Sequence, residues 1–101
     1  VASVLVSACS LLTQLSFDDD NSLHIRQLNG VYVLGNLLLH ECHECAAQDE
    51  EHAVQAQALR ALRFLFSLER NRKSFKRIFP PAIFERFIEV GQYERDVGKY
   101  V

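Results

Sequence analysis

Only two prolines and four glycines interrupt the 101 residues. Short strands need frequent turns, and turns draw heavily on those two residue types, so their scarcity points to a helical chain. Long hydrophobic runs are missing as well. The longest, 31–39, is broken by polar residues and is far too short to span a bilayer. Residues 1–9 have neither the basic segment nor the cleavage pattern of a signal peptide. They also lack an initiating Met and begin inside an apolar periodic stretch, so the chain is expected to be cut from something longer. Three cysteines, an odd number, do not suit a secreted disulfide framework and favour an intracellular, reducing compartment. A net charge of -2 gives the whole chain no pull toward nucleic acid or a membrane surface.

What the chain does have is apolar content with a period. Hydrophobic residues make up 49%, too many for a disordered segment, and the 24% that are charged supply a water-facing surface. Sliding the sequence against itself by 50 positions pairs Val4 with Val54, Ala8 with Ala58, Leu12 with Leu62 and Leu15 with Leu65. Asn21 then meets Asn71, Ile25 meets Phe75 and Leu28 meets Ile78. Further on, Val33 meets Ile83, Leu34 meets Phe84, and Leu37-Leu38 meets Phe87-Ile88. Self-similarity at such a spacing is the mark of a stacked helical repeat.

Each period divides into three helices. Residues 2–16 carry Val4, Leu5, Ala8, Leu11, Leu12 and Leu15 at spacings of three and four, one apolar stripe. Asp18-Asp19-Asp20-Asn21-Ser22 is a polar break rich in N-cap residues, with carboxylates that favour a following helix N-terminus. A short helix over 22–28 stops at Asn29-Gly30, where Gly30 suits the left-handed residue that closes a helix. A third helix, 31–40, buries Val31, Val33, Leu34, Leu37 and Leu38. Past the polar stretch 43–51, a long helix over 51–67 repeats the first pattern. A short helix over 71–78 follows, Pro80-Pro81 forms the corner, and 81–90 makes the next helix, ending at Gly91.

A short helix, a glycine or proline corner and two longer helices resemble the armadillo family. Residues 21–39 and 71–91 look like its first two helices, and 53–67 is similar to its third, which opens with Val-Gln and carries Ala and Leu at these spacings. The resemblance implies an all-α, armadillo-type α-solenoid fragment of roughly two three-helix repeats. Residues 1–17 would be the third helix of a preceding repeat, 18–67 one full repeat, and 68–101 the first helices of the next. Armadillo repeats run nearer about 42 residues, and the extra length falls most naturally around 40–51.

In peptide-binding members the third helix lines a concave groove with a Trp and, four residues on, an Asn. The matching positions are Ser10 and Gln14 in the first period and Arg60 and Phe64 in the second, so neither pair keeps the family pattern. With Arg63 beside them, Arg60 and Phe64 suit an acidic or aromatic partner, and Gln14 can both donate and accept hydrogen bonds. More particularly, 23–30, 57–79 and Tyr93-Glu94-Arg95-Asp96-Val97 look like the armadillo region that precedes the kinase domain of a NIMA-related serine/threonine protein kinase. Kinase motifs themselves are missing: there is no Gly-rich loop, Val-Ala-Ile-Lys, His-Arg-Asp or Asp-Phe-Gly. ATP binding and phosphorylation would belong to the parent protein.

His40, Cys42, Cys45 and His52 form the one constellation that resembles a metal or redox site, since Cys42 and Cys45 have a two-residue gap. A second ligand pair of the usual kind is missing. On a continuing helix the two cysteines share a face, where Cys serves as a small core residue. Packing is the plainer reading, with metal and redox as its alternatives; no cofactor is expected. Arg60, Arg63, Arg70, Arg72, Lys73, Lys76 and Arg77 make a basic face, either solvated and locally paired or set for an acidic segment. Aromatic residues do not alternate with these charges as single-stranded nucleic acid would require.

Six phenylalanines crowd the second period; most are expected in the core, and Phe64 is the exception. No carboxylate pair, Ser/His/Asp order or phosphate loop suggests catalysis. The expected role is therefore a protein-interaction or regulatory scaffold, bound to another protein or to the parent's own catalytic domain. A free-standing adaptor or rigid spacer ranks second and a metal or redox sensor third. Isolated, the end helices are expected to expose Leu5, Leu12, Phe87 or Val90 and to self-associate.

Overall fold

The computed structural model describes residues 2–39 and 48–98, with side chains over 3–39 and 50–92. Six helices and no strand occur among them: α1 (Ala2–Leu15), α2 (Asp19–Gln27), α3 (Gly30–Leu39), α4 (Gln48–Leu65), α5 (Glu69–Ile78) and α6 (Ile83–Gly98). The chain is all-α, as the periodicity requires. No helix among the described residues is long and apolar enough to cross a membrane.

The long helix α4 is the axis of the packing and lies against α1, α3 and α6. Its Val54, Ala58, Leu59, Ala61, Leu62 and Leu65 are all buried, so apolar residues cover most of its girth rather than one stripe. Ala58 and Ala61 keep that surface low and let neighbouring helices approach closely. Each fully covered leucine contributes about 1.5–3 kcal/mol over the same side chain left in water. The second period is filled mainly by rings. Phe75 sits within 4.9–6.1 Å, centroid to centroid, of Phe66, Phe79, Phe84 and Phe87.

Backbone bonding at the two α-to-α turns repeats with the 50-residue spacing. Asp18 N–H donates to Leu15 C=O at 3.3 Å, and Leu68 N–H to Leu65 C=O at 3.4 Å. Ser22 N–H donates to Asp18 C=O, and Arg72 N–H to Leu68 C=O. The caps differ. The Asp18 carboxylate accepts from the Asp20 and Asn21 amides at 2.8 and 3.2 Å, whereas Leu68 has no side chain that can do so. Because Asp18 caps it, α2 starts at Asp19, three residues earlier than its apolar pattern suggests.

The corner after α2 departs from the sequence expectation. The left-handed residue is Asn29, with φ 67°, and Gly30 already belongs to α3. Asn tolerates that conformation better than most side chains. Gly30 is needed for a different reason: a Cβ there would lie 2.3 Å from Ile25 Cγ2 and 2.8 Å from the Ile25 carbonyl oxygen. At the second corner Phe79 is extended, as a residue before proline tends to be, and α6 begins only at Ile83.

That longer corner shifts the register of the helix after it. Val31 and Leu38 are buried on α3, and Ile83 and Val90 are buried on α6, which puts the equivalence at 52 residues. The ungapped pairs Val33–Ile83, Leu34–Phe84 and Leu38–Ile88 each join a buried residue to an exposed one, so the ungapped match ends at the corner. Gly91 does not end α6 either, since the helix continues to Gly98. The expected end exposures fall on the wrong flank of each stripe. Leu5, Leu12 and Phe87 are half-buried and Val90 is buried; Val4, Leu11, Phe84 and Ile88 are the residues that meet solvent.

Candidate functional site

Helices α1 and α4 lie side by side, and their outward ridges frame an open groove of about 280 Å³ lined by Ser10, Thr13, Gln14, Phe17, Gln57, Arg60 and Phe64. The 50-residue spacing explains why these residues meet. Ser10 and Gln14 are one turn apart on α1, Arg60 and Phe64 one turn apart on α4, and residues four apart share a helix face. Four of the five sequence candidates therefore fall in one place. Arg63, the fifth, does not. Its guanidinium turns toward α6, where a Cβ added to Gly91 would come within 3.2 Å of Nη2.

Phe17, Thr13 and Gln57 complete the groove without having been anticipated. The Phe17 ring stands edge-on to Phe64, with centroids 4.8 Å apart and planes at 85°, although both side chains are exposed. Such a pair is worth about 0.5–1.5 kcal/mol beyond the area it covers, and here it builds an aromatic wall at one end of the groove. A lone aromatic inside the polar break 16–20 was the available signal. Thr13 is buried, and its hydroxyl donates to the Cys9 carbonyl at 2.9 Å, so it shapes the floor.

Chemically the groove offers two side-chain amides, one serine hydroxyl, one guanidinium and two rings. Arg60 is exposed and forms no ion pair with a described residue. Among the described residues no carboxylate, imidazole or thiol lines the groove, so the Ser10 hydroxyl has no side-chain base there to activate it. Among the described residues the one thiol, Cys9, is in the core, and burial pushes its pKa up to about 11, which keeps it protonated and unreactive near neutral pH. The arrangement can hold an extended backbone by amide hydrogen bonds, an acidic group by Arg60 and an apolar or aromatic side chain by Phe17 and Phe64.

Of the metal candidates, His40, Cys42 and Cys45 lie outside the described residues. His52 is half-buried on α4, and no group of three His, Cys, Asp or Glu residues able to hold a metal occurs among the described residues. On the basic face, Lys73 pairs with Glu69 at 3.5 Å and the Arg72 guanidinium donates to the Phe66 carbonyl. Arg70, Lys76 and Arg77 are exposed and form no ion pair with a described residue.

Comparison with known proteins gives a consistent set of relatives. The chain is 46% identical over 98 residues to mouse serine/threonine-protein kinase Nek10, and 45% identical over 98 residues to the human protein. A serine/threonine-protein kinase of Caenorhabditis elegans is 32% identical over 100 residues. Each alignment takes in 97% of this chain but only 8–10% of the relative. The chain is homologous to a short segment of NIMA-related serine/threonine kinases. No family model matches it, and no solved structure does.

Proposed function

We propose that the chain is an armadillo-type segment of a NIMA-related serine/threonine kinase, and that its α1–α4 groove binds an extended acidic or aromatic stretch of protein. That stretch belongs either to another protein or to the parent's own catalytic domain. The observation carrying this reading is the convergence of Gln14, Gln57, Arg60, Phe17 and Phe64 on one open groove. Kinship with serine/threonine kinases over a tenth or less of their length supports a region apart from the catalytic machinery, as does the absence of every kinase motif from the sequence. ATP binding and phosphoryl transfer would be carried out elsewhere in the parent, in an intracellular, reducing compartment. The repeating turn bonds and the three-helix period support the armadillo assignment.

The groove differs from the usual armadillo peptide site because no Trp–Asn pair lies on either third helix, and this selects the ligand. Arg60 favours a carboxylate or phosphate, while the aromatic wall favours a ring or proline beside it. A random peptide library displayed on phage and selected on the purified chain tests the proposal. Acidic peptides carrying an aromatic residue should be enriched, and Arg60→Glu or Phe64→Ala should weaken their binding by roughly tenfold or more. Binding of the same peptides unchanged by both substitutions would remove the groove from consideration. Enrichment of no peptide at all would leave the segment a rigid spacer.

A further inference from the structure

The groove between α1 and α4 has walls of different character, and the difference limits what it can hold. Arg60 and Phe64 stand on the α4 wall, whereas the α1 wall offers Ser10 and Gln14, which exchange hydrogen bonds and carry no charge. Phe17 closes one end, edge-on to Phe64. Recognition of charge and of a ring therefore falls to two residues on a single helix. Being one turn apart, they are separated by about 6 Å of helix rise.

An extended chain meets such a wall only at every second residue. Successive side chains point to opposite sides, and residues two apart lie about 6.6–6.8 Å apart along the chain, close to the Arg60–Phe64 rise. Residues one or three apart cannot both face α4. The length of the Arg60 stem does not rescue an odd spacing, because parity sends one of the two ligand side chains away from that wall. Residues four apart would span about 13 Å. That exceeds the groove, whose α4 wall runs from Gln57 to Phe64 over roughly 10 Å.

Charge narrows the anion. Arg60 is the one cation lining the groove among the described residues, since Arg63 turns toward α6. Just past Phe17, α2 opens with Asp19 and Asp20, which share a second cleft with Glu69 and Arg70. Arg60 balances a singly charged carboxylate; the near-double charge of a phosphate exceeds it and is repelled more strongly by the neighbouring carboxylates. The same carboxylates disfavour a second acid beyond the ring and favour a base there. We infer that the groove recognises an extended segment in which an Asp or Glu and an aromatic residue are separated by a single residue. The carboxylate pairs with Arg60, the ring packs against Phe17 and Phe64, and the residue between them points away from α4 and is not selected. This inference rests on the groove being a protein-binding site and adds its register and its anion.

Fluorescence anisotropy of the whole chain with labelled peptides tests the register. Each peptide carries one Glu and one Tyr in a Thr-Ser background, placed one, two, three or four positions apart and in both orders. A separation of two, in one of the orders, should bind roughly tenfold or more tighter than any other separation. Phosphoserine in place of that Glu should bind no tighter, and a Lys two positions beyond the ring should bind tighter than a Glu there. Arg60 and Phe64 are both exposed, so Arg60→Glu and Phe64→Ala should keep the helical circular dichroism of wild type. Equal affinity at every separation, or tightest binding at an odd one, would overturn the register even if both substitutions still weaken binding. A phosphoserine peptide that binds tenfold tighter would overturn the carboxylate assignment. Binding that ignores both substitutions at every separation would instead remove the groove itself, and no binding of any peptide would overturn register and groove together.

Discussion

The first and second periods share one turn geometry and differ in almost everything placed around it. Both turns use the same backbone bonds 50 residues apart, yet one is capped by Asp18 and the other has an uncapped leucine. One corner uses Asn29 in the left-handed region, and the other uses an extended residue and two prolines. The side chain that fastens each short helix to the preceding turn also changes. Ser22 Oγ donates to the Ser16 carbonyl at 2.9 Å, whereas Asn71 Nδ2 donates to the Leu65 carbonyl at 2.8 Å and reaches the Ser22 carbonyl at 3.3 Å. Backbone geometry fixes the repeat; the groups that stabilise it are interchangeable provided each orphan carbonyl at a helix end finds a donor.

The ring cluster is where the two periods should differ most under mutation. Phe75→Ala removes the ring that four others surround and should cost ~3–5 kcal/mol in a denaturant melt. Ile25 is the equivalent residue, and it is buried without such a cluster. Ile25→Ala, the matching truncation, should cost less, about 2–3 kcal/mol. Equal losses for these two variants would show that the ring cluster adds nothing special to the second period.

The asparagines sharpen the comparison further. They look equivalent in sequence, but Asn71 is fully buried and Asn21 is exposed. Asn71→Ala leaves two buried carbonyls without that donor and should cost about 1–3 kcal/mol. Asn21→Ala should stay within about 0.5 kcal/mol. Next in size, Asp18→Ala should cost ~1 kcal/mol through loss of the N-cap.

A pH-dependent effect concerns Cys9, whose second-period equivalent is Leu59. Its folded pKa is raised above the ordinary value of 9.0 to about 11 by burial. The folded chain therefore keeps a proton that the unfolded chain has begun to release. Its stabilising share is intact below about pH 9 and is lost as pH rises through about 11. Chemical denaturation from pH 8 upward should show a shallower alkaline decline for Cys9→Ala than for wild type, whatever the offset between them.

Sequence periodicity made the six helices legible, because apolar spacing of three and four survives any choice of neighbours. It also brought Ser10, Gln14, Arg60 and Phe64 to one face, since equivalent helices stacked side by side present equivalent positions. Three features were beyond it. Arg63 follows the groove positions on α4, but its long stem lets the charged head turn toward α6. Phe17 belongs to a turn, where helical spacing gives no direction. The flanks of the end stripes look alike in sequence, and only the packing decides that Leu5 and Leu12 turn inward while Val4 and Leu11 face out.

Register between α1 and α4 underlies both the repeat and the groove, and one contact reports on it. An NMR NOESY spectrum of the chain should contain cross-peaks between the ring protons of Phe17, in the turn that follows α1, and Phe64 on α4, whose centroids are 4.8 Å apart. If the spectrum instead shows none, with both rings assigned and the fold intact, α1 and α4 do not meet in this register and the groove as described does not exist.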